Sequence, residues 1–282
     1  MGDILKNFSL LLICVLIVAG SAFGGGRRNR TAAPVDNSLR KIMGRGTLVI
    51  GIDDKSPPMG FRNEANEIQG LVVDLAGEAA RRMGLELVFL PIDISTVELE
   101  LGAGIIDCIW NSSAWHWRNM LFSPPYLLEE QVVVVRDESP AVSFSDLADR
   151  YVGTQAPASS VEAHFTFGIR ELIFYRDFHA ALLDLEVGGI DAVIIGSVAA
   201  NYHINRLNRP FRILNEVMEG QAMDGQEYRI AFRQGDKALA EKVWEILQEI
   251  AMDGTAAGII AQWLGEGFSV FQPLIQSGIP SP

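Results

Sequence analysis

Polar side chains that could bind a small solute are concentrated in four short segments, each directly after a predicted strand. These segments are residues 53–59, 111–118, 156–160 and 196–197. They supply carboxylate, amide, hydroxyl and guanidinium groups, and the planar guanidinium of Arg118 can bind both oxygens of a carboxylate at once. In parallel α/β sheets, ligands lie beyond the carboxyl ends of the strands. The four segments are therefore expected to surround one cleft.

The elements that position these segments alternate between strand and helix, which predicts parallel sheets covered by helices. The predicted strands are short apolar runs, at residues 48–52, 85–90, 105–110, 131–136, 151–155, 172–175, 190–195, 211–214 and 228–232. The predicted helices carry apolar residues at helical spacing. They cover residues 72–83, 97–101, 159–167, 180–187, 197–207, 239–250 and 256–264.

The order of these elements predicts two α/β lobes. The chain crosses between them twice, near residues 128–133 and 226–232, and the last two helices are expected to return to the first lobe. Lobe 1 then consists of residues 38–130 and 231–272, and lobe 2 of residues 131–230. Each lobe is a mostly parallel sheet with flanking helices. The two crossing strands form a hinge beside the ligand cleft.

The N-terminus has the pattern of an export signal. Lys6 precedes an apolar run at residues 8–19, and small residues follow it. The run is shorter than the roughly 18 residues that span a bilayer, so residues 1–22 are interpreted as a signal peptide. An uncleaved anchor is the alternative. Residues 23–37 are expected to be a flexible tether and residues 273–282 a tail. The mature protein is predicted at the periplasmic or extracellular face of the membrane.

Composition and residue spacing exclude several functional classes. The formal net charge of −12 over 282 residues argues against a nucleic-acid partner. Cys108 is the one cysteine left after cleavage, so no internal disulfide can form, and its apolar neighbours indicate a buried hydrophobic residue. No metal-ligand spacing and no glycine-rich phosphate loop are present. The four histidines are scattered, at His116, His164, His179 and His203, and each fits a surface or helix-face position better than the role of a catalytic base.

Several motifs resemble those of a known family. They are PMGFRN at residues 58–63, QGLVVDLA at 69–76, DCIWN at 107–111, FSPPY at 122–126, GIDAV at 189–193 and YRIAF at 228–232. In order and spacing they are similar to the family 3 extracellular solute-binding proteins, which bind polar amino acids for ABC importers. The resemblance covers residues 47–267. It implies a two-lobed periplasmic-binding-protein fold that closes on its ligand, docks on an ABC permease, needs no cofactor and acts as a monomer.

The resemblance also implies which residues bind the ligand. Arg118 would bind a ligand carboxylate, with a hydroxyl from Ser159 at the start of the first helix of lobe 2. Asp53 would face the ligand after the first strand. The remaining candidates line the cleft by position, and they are Ser56, Met59, Trp110, Asn111, Ser112, Ser160, Gly196 and Ser197.

Two departures from the family pattern concern the pocket. Gly196 stands where the family carries the aspartate that binds the ligand ammonium, and Trp115 stands where a threonine is expected, in a loop that is shorter than usual. Either Asp53 or Asp54 binds the amine, or the ligand lacks one and is a small carboxylate or an unusual amino acid. Two further alternatives are a ligand-sensing or degenerate binding lobe and, in the same fold, a periplasmic dehydratase-type enzyme.

Overall fold

The computed structural model describes residues 35–93, 95–112, 119–155, 168–214 and 226–266. The predicted signal peptide, most of the predicted tether, the predicted tail and the predicted helix at residues 159–167 lie outside these ranges. Within them, no helix is both long enough and apolar enough to cross a bilayer.

Fourteen strands and seven α-helices are found in the described ranges. The strands are β1 Thr47–Ile52, β2 Lys55–Ser56, β3 Gly60–Arg62, β4 Ile68–Gln69, β5 Glu86–Pro91, β6 Cys108–Ser112, β7 Met120–Phe122, β8 Leu127–Glu129, β9 Gln131–Arg136, β10 Tyr151–Gln155, β11 Glu171–Tyr175, β12 Ala192–Gly196, β13 Phe211–Ile213 and β14 Gln226–Arg233. The α-helices are α1 Ser38–Arg45, α2 Leu71–Met83, α3 Val97–Ala103, α4 Phe178–Val187, α5 Ser197–Asn201, α6 Lys237–Met252 and α7 Thr255–Leu264. A short 3-10 helix covers Phe144–Leu147, and a π-helical turn covers Tyr202–Arg206.

Two mixed sheets organise the molecule, and this confirms the predicted α/β class. The first sheet has the order β5-β1-β6-β14-β7, and the second has the order β11-β10-β12-β9-β13. In the first, β1 runs parallel to β5 and β6, whereas β14 is antiparallel to β6 and β7. In the second, β10 runs parallel to β11 and β12, whereas β9 is antiparallel to β12 and β13. Each sheet therefore has three parallel strands on one side, extended on the other side by two strands that pair antiparallel.

A two-stranded ribbon connects the sheets. β8 leads directly into β9 of the second sheet, and β8 pairs with the first residues of β14, which continues into the first sheet. The register places Glu129 opposite Gln226 and Leu127 opposite Tyr228. Both predicted crossings thus meet in one ribbon. The lobe boundaries drawn from the sequence stay a prediction.

The helices form where apolar spacing and capping residues agree. The buried side of α2 is Leu71, Val72, Leu75, Ala76, Ala79, Ala80 and Met83. Gly84 ends this helix in the left-handed conformation with φ 69°, as its position in the sequence predicts. Apolar residues of α6 and α7 pack in the same core as α2, on the first sheet. The last two helices therefore pack on the first sheet, as the sequence predicts.

Two local predictions need correction, and a helix and a small sheet were missed. The strand predicted at residues 105–110 begins at Cys108 and continues to Ser112, because the carboxylate of Asp107 accepts a hydrogen bond from the Val49 amide at 2.8 Å and pairs with Arg45. The helix predicted over residues 197–207 is α-helical only to Asn201 and then becomes the π-turn. Helix α1 and the small sheet β2-β3-β4 were not predicted, because both are too short to show a clear apolar period.

Candidate ligand-binding site

The loop after β1 carries two of the predicted ligand-binding residues, and they bind each other. Oδ2 of Asp53 accepts a hydrogen bond from the Ser56 hydroxyl at 2.5 Å, and Oδ1 accepts one from the Lys55 amide at 3.0 Å. The neighbouring Asp54 pairs with Arg62 at 2.5 Å. Both aspartates that the sequence offered as binders of an amine therefore already have partners in the protein.

Met59 and Trp110 are buried in the core of the first sheet. They share this core with Val198, Tyr202 and Tyr228, which come from the segments nearest the second sheet and the ribbon. The indole N–H of Trp110 is buried and has no hydrogen-bond acceptor among the described residues. The sequence predicts that these two residues line the cleft, whereas the structure shows both of them buried. Their role in ligand binding stays a prediction.

Five of the predicted site residues are described in part or not at all. Asn111 and Ser112 are described only as backbone of β6, where Ser112 lies opposite Arg229 of β14. Arg118, Ser159 and Ser160 lie outside the described residues. Their assignment as ligand-binding residues stays a prediction.

Gly196 and Ser197 lie at the carboxyl end of β12, next to the ribbon. The Ser197 amide donates to the Glu130 carbonyl at 2.7 Å, and the Ser197 hydroxyl accepts from the Glu130 amide at 3.2 Å. A Cβ atom placed on Gly196 would lie within 3.0 Å of Oε1 of Glu129, so the carboxylate lies beside this glycine. The end of β12 is therefore fastened to the point where the chain passes from β8 to β9.

Glu129 is the functional candidate that sequence reasoning missed. Its side chain is buried, with 7% of the residue exposed. Oε2 accepts a hydrogen bond from the Tyr228 hydroxyl at 2.5 Å, and Oε1 accepts one from the Val198 amide at 3.3 Å. Burial raises the pKa of this carboxyl, although these hydrogen bonds oppose the shift. Burial and the adjacent Glu129 also raise the pKa of Tyr228.

One signal in the sequence could have indicated Glu129. In the segment at residues 126–135, Glu129 and Glu130 are the only charged residues. In a strand, neighbouring side chains point to opposite sides, so one of two adjacent acids must turn inward if one face is buried. The structure shows that Glu129 turns inward and Glu130 is exposed.

The described residues thus form two polar groups. Asp53 directly follows β1 of the first sheet, Ser56 belongs to β2 of the small sheet, and Gly196, Ser197 and Glu129 lie together at the ribbon. The chemistry of both groups is that of hydrogen bonding and charge, which suits the binding of a polar solute. Across the described ranges, no cluster of His, Cys, Asp or Glu side chains could hold a metal ion. Cys108, as expected, is completely buried, and burial raises the pKa of its thiol.

A family model for bacterial extracellular solute-binding proteins, family 3, matches residues 48–266. The chain belongs to this family. The match includes β1, the ribbon, both sheets and the last helices, so it covers every element that positions the candidate site.

Individual relatives agree with the family assignment. The L-cystine-binding protein TcyJ of Escherichia coli is 26% identical over 234 residues, which are 80% of this chain and 86% of that protein. A polar amino acid ABC uptake transporter substrate-binding protein from Streptococcus thermophilus is 26% identical, with a TM-score of 0.69 over 88% of this chain and 96% of that one. An ABC uptake transporter substrate-binding protein from Streptococcus pneumoniae, solved with bound histidine, is 25% identical, with a TM-score of 0.63 over 85% and 99% of the two chains.

Proposed function

We propose that this protein is exported, binds one amino acid in the cleft between its two sheets and delivers it to an ABC importer. The observation that carries the proposal is the extent of the family match, which runs through both sheets and both strands of the connecting ribbon. A chain with only one sheet of this architecture could not enclose a ligand. One relative that matches over this length is named for L-cystine, and another was solved with bound histidine.

The connecting ribbon supports a binding mechanism by closure. Only β8, which leads into β9, and β14 carry the chain between the sheets within the described ranges, so the sheets can move relative to each other by bending at these strands. A ligand that contacts both sheets binds the closed arrangement more tightly than the open one. The difference between the two binding free energies is the amount by which the ligand stabilises closure. Docking of the closed form on a permease follows from the proposed transport role.

Thermal unfolding in the presence of individual solutes tests the proposal. The purified mature protein is screened with the standard L-amino acids, with L-cystine and with simple carboxylates that lack an amine. We expect one chemical class of amino acid to raise the Tm by about 5–10 °C when present at roughly a hundred times its Kd. Isothermal titration calorimetry then gives the stoichiometry, which we expect to be one ligand per chain.

The same screen separates the proposal from the alternatives. If no amino acid stabilises the protein and no other small metabolite does, the degenerate binding lobe is favoured. If only carboxylates without an amine stabilise it, the ligand is not an amino acid. Turnover of a bound cyclic dicarboxylate, measured by product formation, would favour the dehydratase-type enzyme.

A further inference from the structure

The absence of a side chain at Gly196 is explained by Glu129 and not by the backbone. Gly196 has φ −64° and ψ 143°, a conformation that every residue adopts readily. A Cβ atom placed on Gly196 would lie within 3.0 Å of Oε1, Oε2 and Cδ of Glu129. Any side chain at position 196 would therefore occupy the volume that the Glu129 carboxylate fills. Glycine at this position leaves room for an acid from another part of the chain.

Among the described residues, the carboxylate placed there has hydrogen-bond donors but no cationic partner. No ion pair between described residues includes Glu129. The groups that influence its pKa are burial, the Tyr228 hydroxyl and the amides of Val198 and Ala199, none of which is positively charged. A carboxylate offers about four acceptor sites, and these three donors leave one. An ionised carboxylate that is buried without a cation is unfavourable, so the neutral form of Glu129 is favoured until a cationic group approaches it.

Glu129 lies where a bound ligand could supply such a cationic group. Glu129 ends β8 in the connecting ribbon and contacts the carboxyl end of β12, where ligands of α/β sheets are bound. Its carboxylate accepts hydrogen bonds from both Tyr228 of β14 and Val198 of α5. A cation at this point would contact the ribbon and the second sheet together.

We propose that the Glu129 carboxylate, which fills the space that Gly196 leaves open, binds the ammonium group of the amino acid ligand. This inference rests on the proposed function, because it requires a ligand with an amine. It differs from the sequence-based hypothesis that Asp53 or Asp54 binds the amine, which stays a prediction: Asp54 pairs with Arg62, and Asp53 accepts hydrogen bonds from the uncharged Ser56 hydroxyl and Lys55 amide. The raised pKa of Glu129 fits this role, because an arriving ammonium would favour the ionised form and release the proton to solvent.

The substitution Glu129→Gln tests the proposal, because it removes the charge with little change in shape. We measure the Kd of wild type and variant for the best amino acid of the screen and for its deaminated counterpart, such as histidine with imidazolepropionate or cystine with dithiodipropionate. We expect the variant to bind the amino acid at least about a hundredfold more weakly, which is the loss typical of a broken buried charge pair. Binding of the deaminated counterpart should change by less than about threefold.

Glu227→Gln is the matched control. Glu227 lies on the same ribbon, but its neighbour Tyr228 points to the face that carries Glu129, so Glu227 points to the opposite face. Its carboxylate pairs with Arg229 at 2.5 Å. We expect the control to bind both ligands as the wild type does, since it changes the same functional group on the other side of the ribbon.

A transplanted carboxylate gives a second, independent test. The double variant Glu129→Ala, Gly196→Asp removes the acid from β8 and places one at the end of β12, at nearly the same point. It should recover at least about tenfold of the amino acid affinity that Glu129→Ala alone loses. This test also serves if Glu129→Gln folds poorly, because the double variant keeps one carboxylate and removes the overlap.

The outcomes distinguish the two proposals. If the wild type binds no amino acid, the proposed function fails. If the wild type binds an amino acid and Glu129→Gln binds it equally well, the proposed function stands and the role of Glu129 is wrong. An equal loss of affinity for the amino acid and its deaminated counterpart also overturns that role, because Glu129 would then organise the protein without contacting the amine.

Discussion

At the scale of single residues, the contact between Gly196 and Glu129 has a consequence for stability as well as for binding. The substitution Gly196→Ala adds a methyl group where the carboxylate lies, so the carboxylate must move and lose its hydrogen bonds to Val198 and Tyr228. We expect a loss of about 1–3 kcal/mol in the free energy of unfolding. The same substitution in a Glu129→Ala background should cost less than about 0.5 kcal/mol. Denaturant unfolding of the four proteins measures the coupling.

Gly77→Ala is the control for this cycle. Gly77 lies inside α2, and a Cβ atom there meets no atom within 4 Å. Alanine is about 1 kcal/mol better than glycine inside a helix, so this variant should be neutral or more stable in either background. A cost for Gly196→Ala that is equal with and without Glu129 would show that the two residues do not compete for the same space.

The sequence was informative about individual residues where local chemistry decides, and not where distant segments meet. Asp53 lies shortly before Pro57 and Pro58, and its hydrogen bonds to Lys55 and Ser56 are the local ones that a turn aspartate makes. Glu129 could not be assigned, because its partners Val198 and Tyr228 are 69 and 99 residues away in the chain. The resemblance singled out Gly196 as a lost acid, and only the fold shows which side chain occupies its place.

At the scale of elements, the segment that follows β12 joins the second sheet to the core of the first. α5 and the π-turn lead Tyr202 against Phe61 and Trp263, with ring centroids 6.1 and 6.3 Å apart. Arg206 lies over the Trp263 ring at 4.8 Å and donates to the Gln262 carbonyl at 3.0 Å. The apolar pattern predicted a helix here, but a π-turn depends on tertiary contacts that periodicity does not contain.

This segment also carries a buried histidine whose titration is predicted to affect stability. Burial, together with the nearby His179 and Arg209, lowers the pKa of His203 from 6.5 to about 4. The folded state therefore binds fewer protons than the unfolded state between about pH 4 and 6.5. The stability associated with neutral His203 is present above about pH 6.5 and is lost as the pH falls toward 4.

We expect wild type to lose on the order of 2 kcal/mol more than His203→Gln between pH 7 and pH 4. Urea unfolding at a series of pH values measures this difference. His179→Gln is the comparison: His179 is exposed on α4, its ring centroid 6.4 Å from that of His203, and it accounts for a smaller part of the lowered pKa than burial does, so this variant should keep most of the pH dependence. Parallel pH profiles for wild type and His203→Gln would show that His203 is protonated to the same extent in both states.

At the scale of the whole molecule, the alternation of strands and helices predicted two α/β units and two crossings between them, and the observed sheets agree with the α/β class. The sequence could not predict that β8 and β14 pair with each other, because they are separated by almost a hundred residues. It also missed the antiparallel extension of the first sheet by β7, a strand of three residues. Short antiparallel strands depend on partners supplied by the rest of the fold.

The ribbon leads to a prediction about the shape of the molecule in solution. If the ligand contacts both sheets, saturation with the best amino acid should decrease the radius of gyration measured by small-angle X-ray scattering. Bending at β8 and β14 is the movement that the connections allow. Glu129 lies at this point, so Glu129→Gln should contract only at ligand concentrations raised in proportion to its weaker affinity. A ligand stabilises closure only through contacts that it makes more strongly in the closed form. If the variant contracted fully at the ligand concentration that suffices for the wild type, the contact between Glu129 and the amine would have no role in closure.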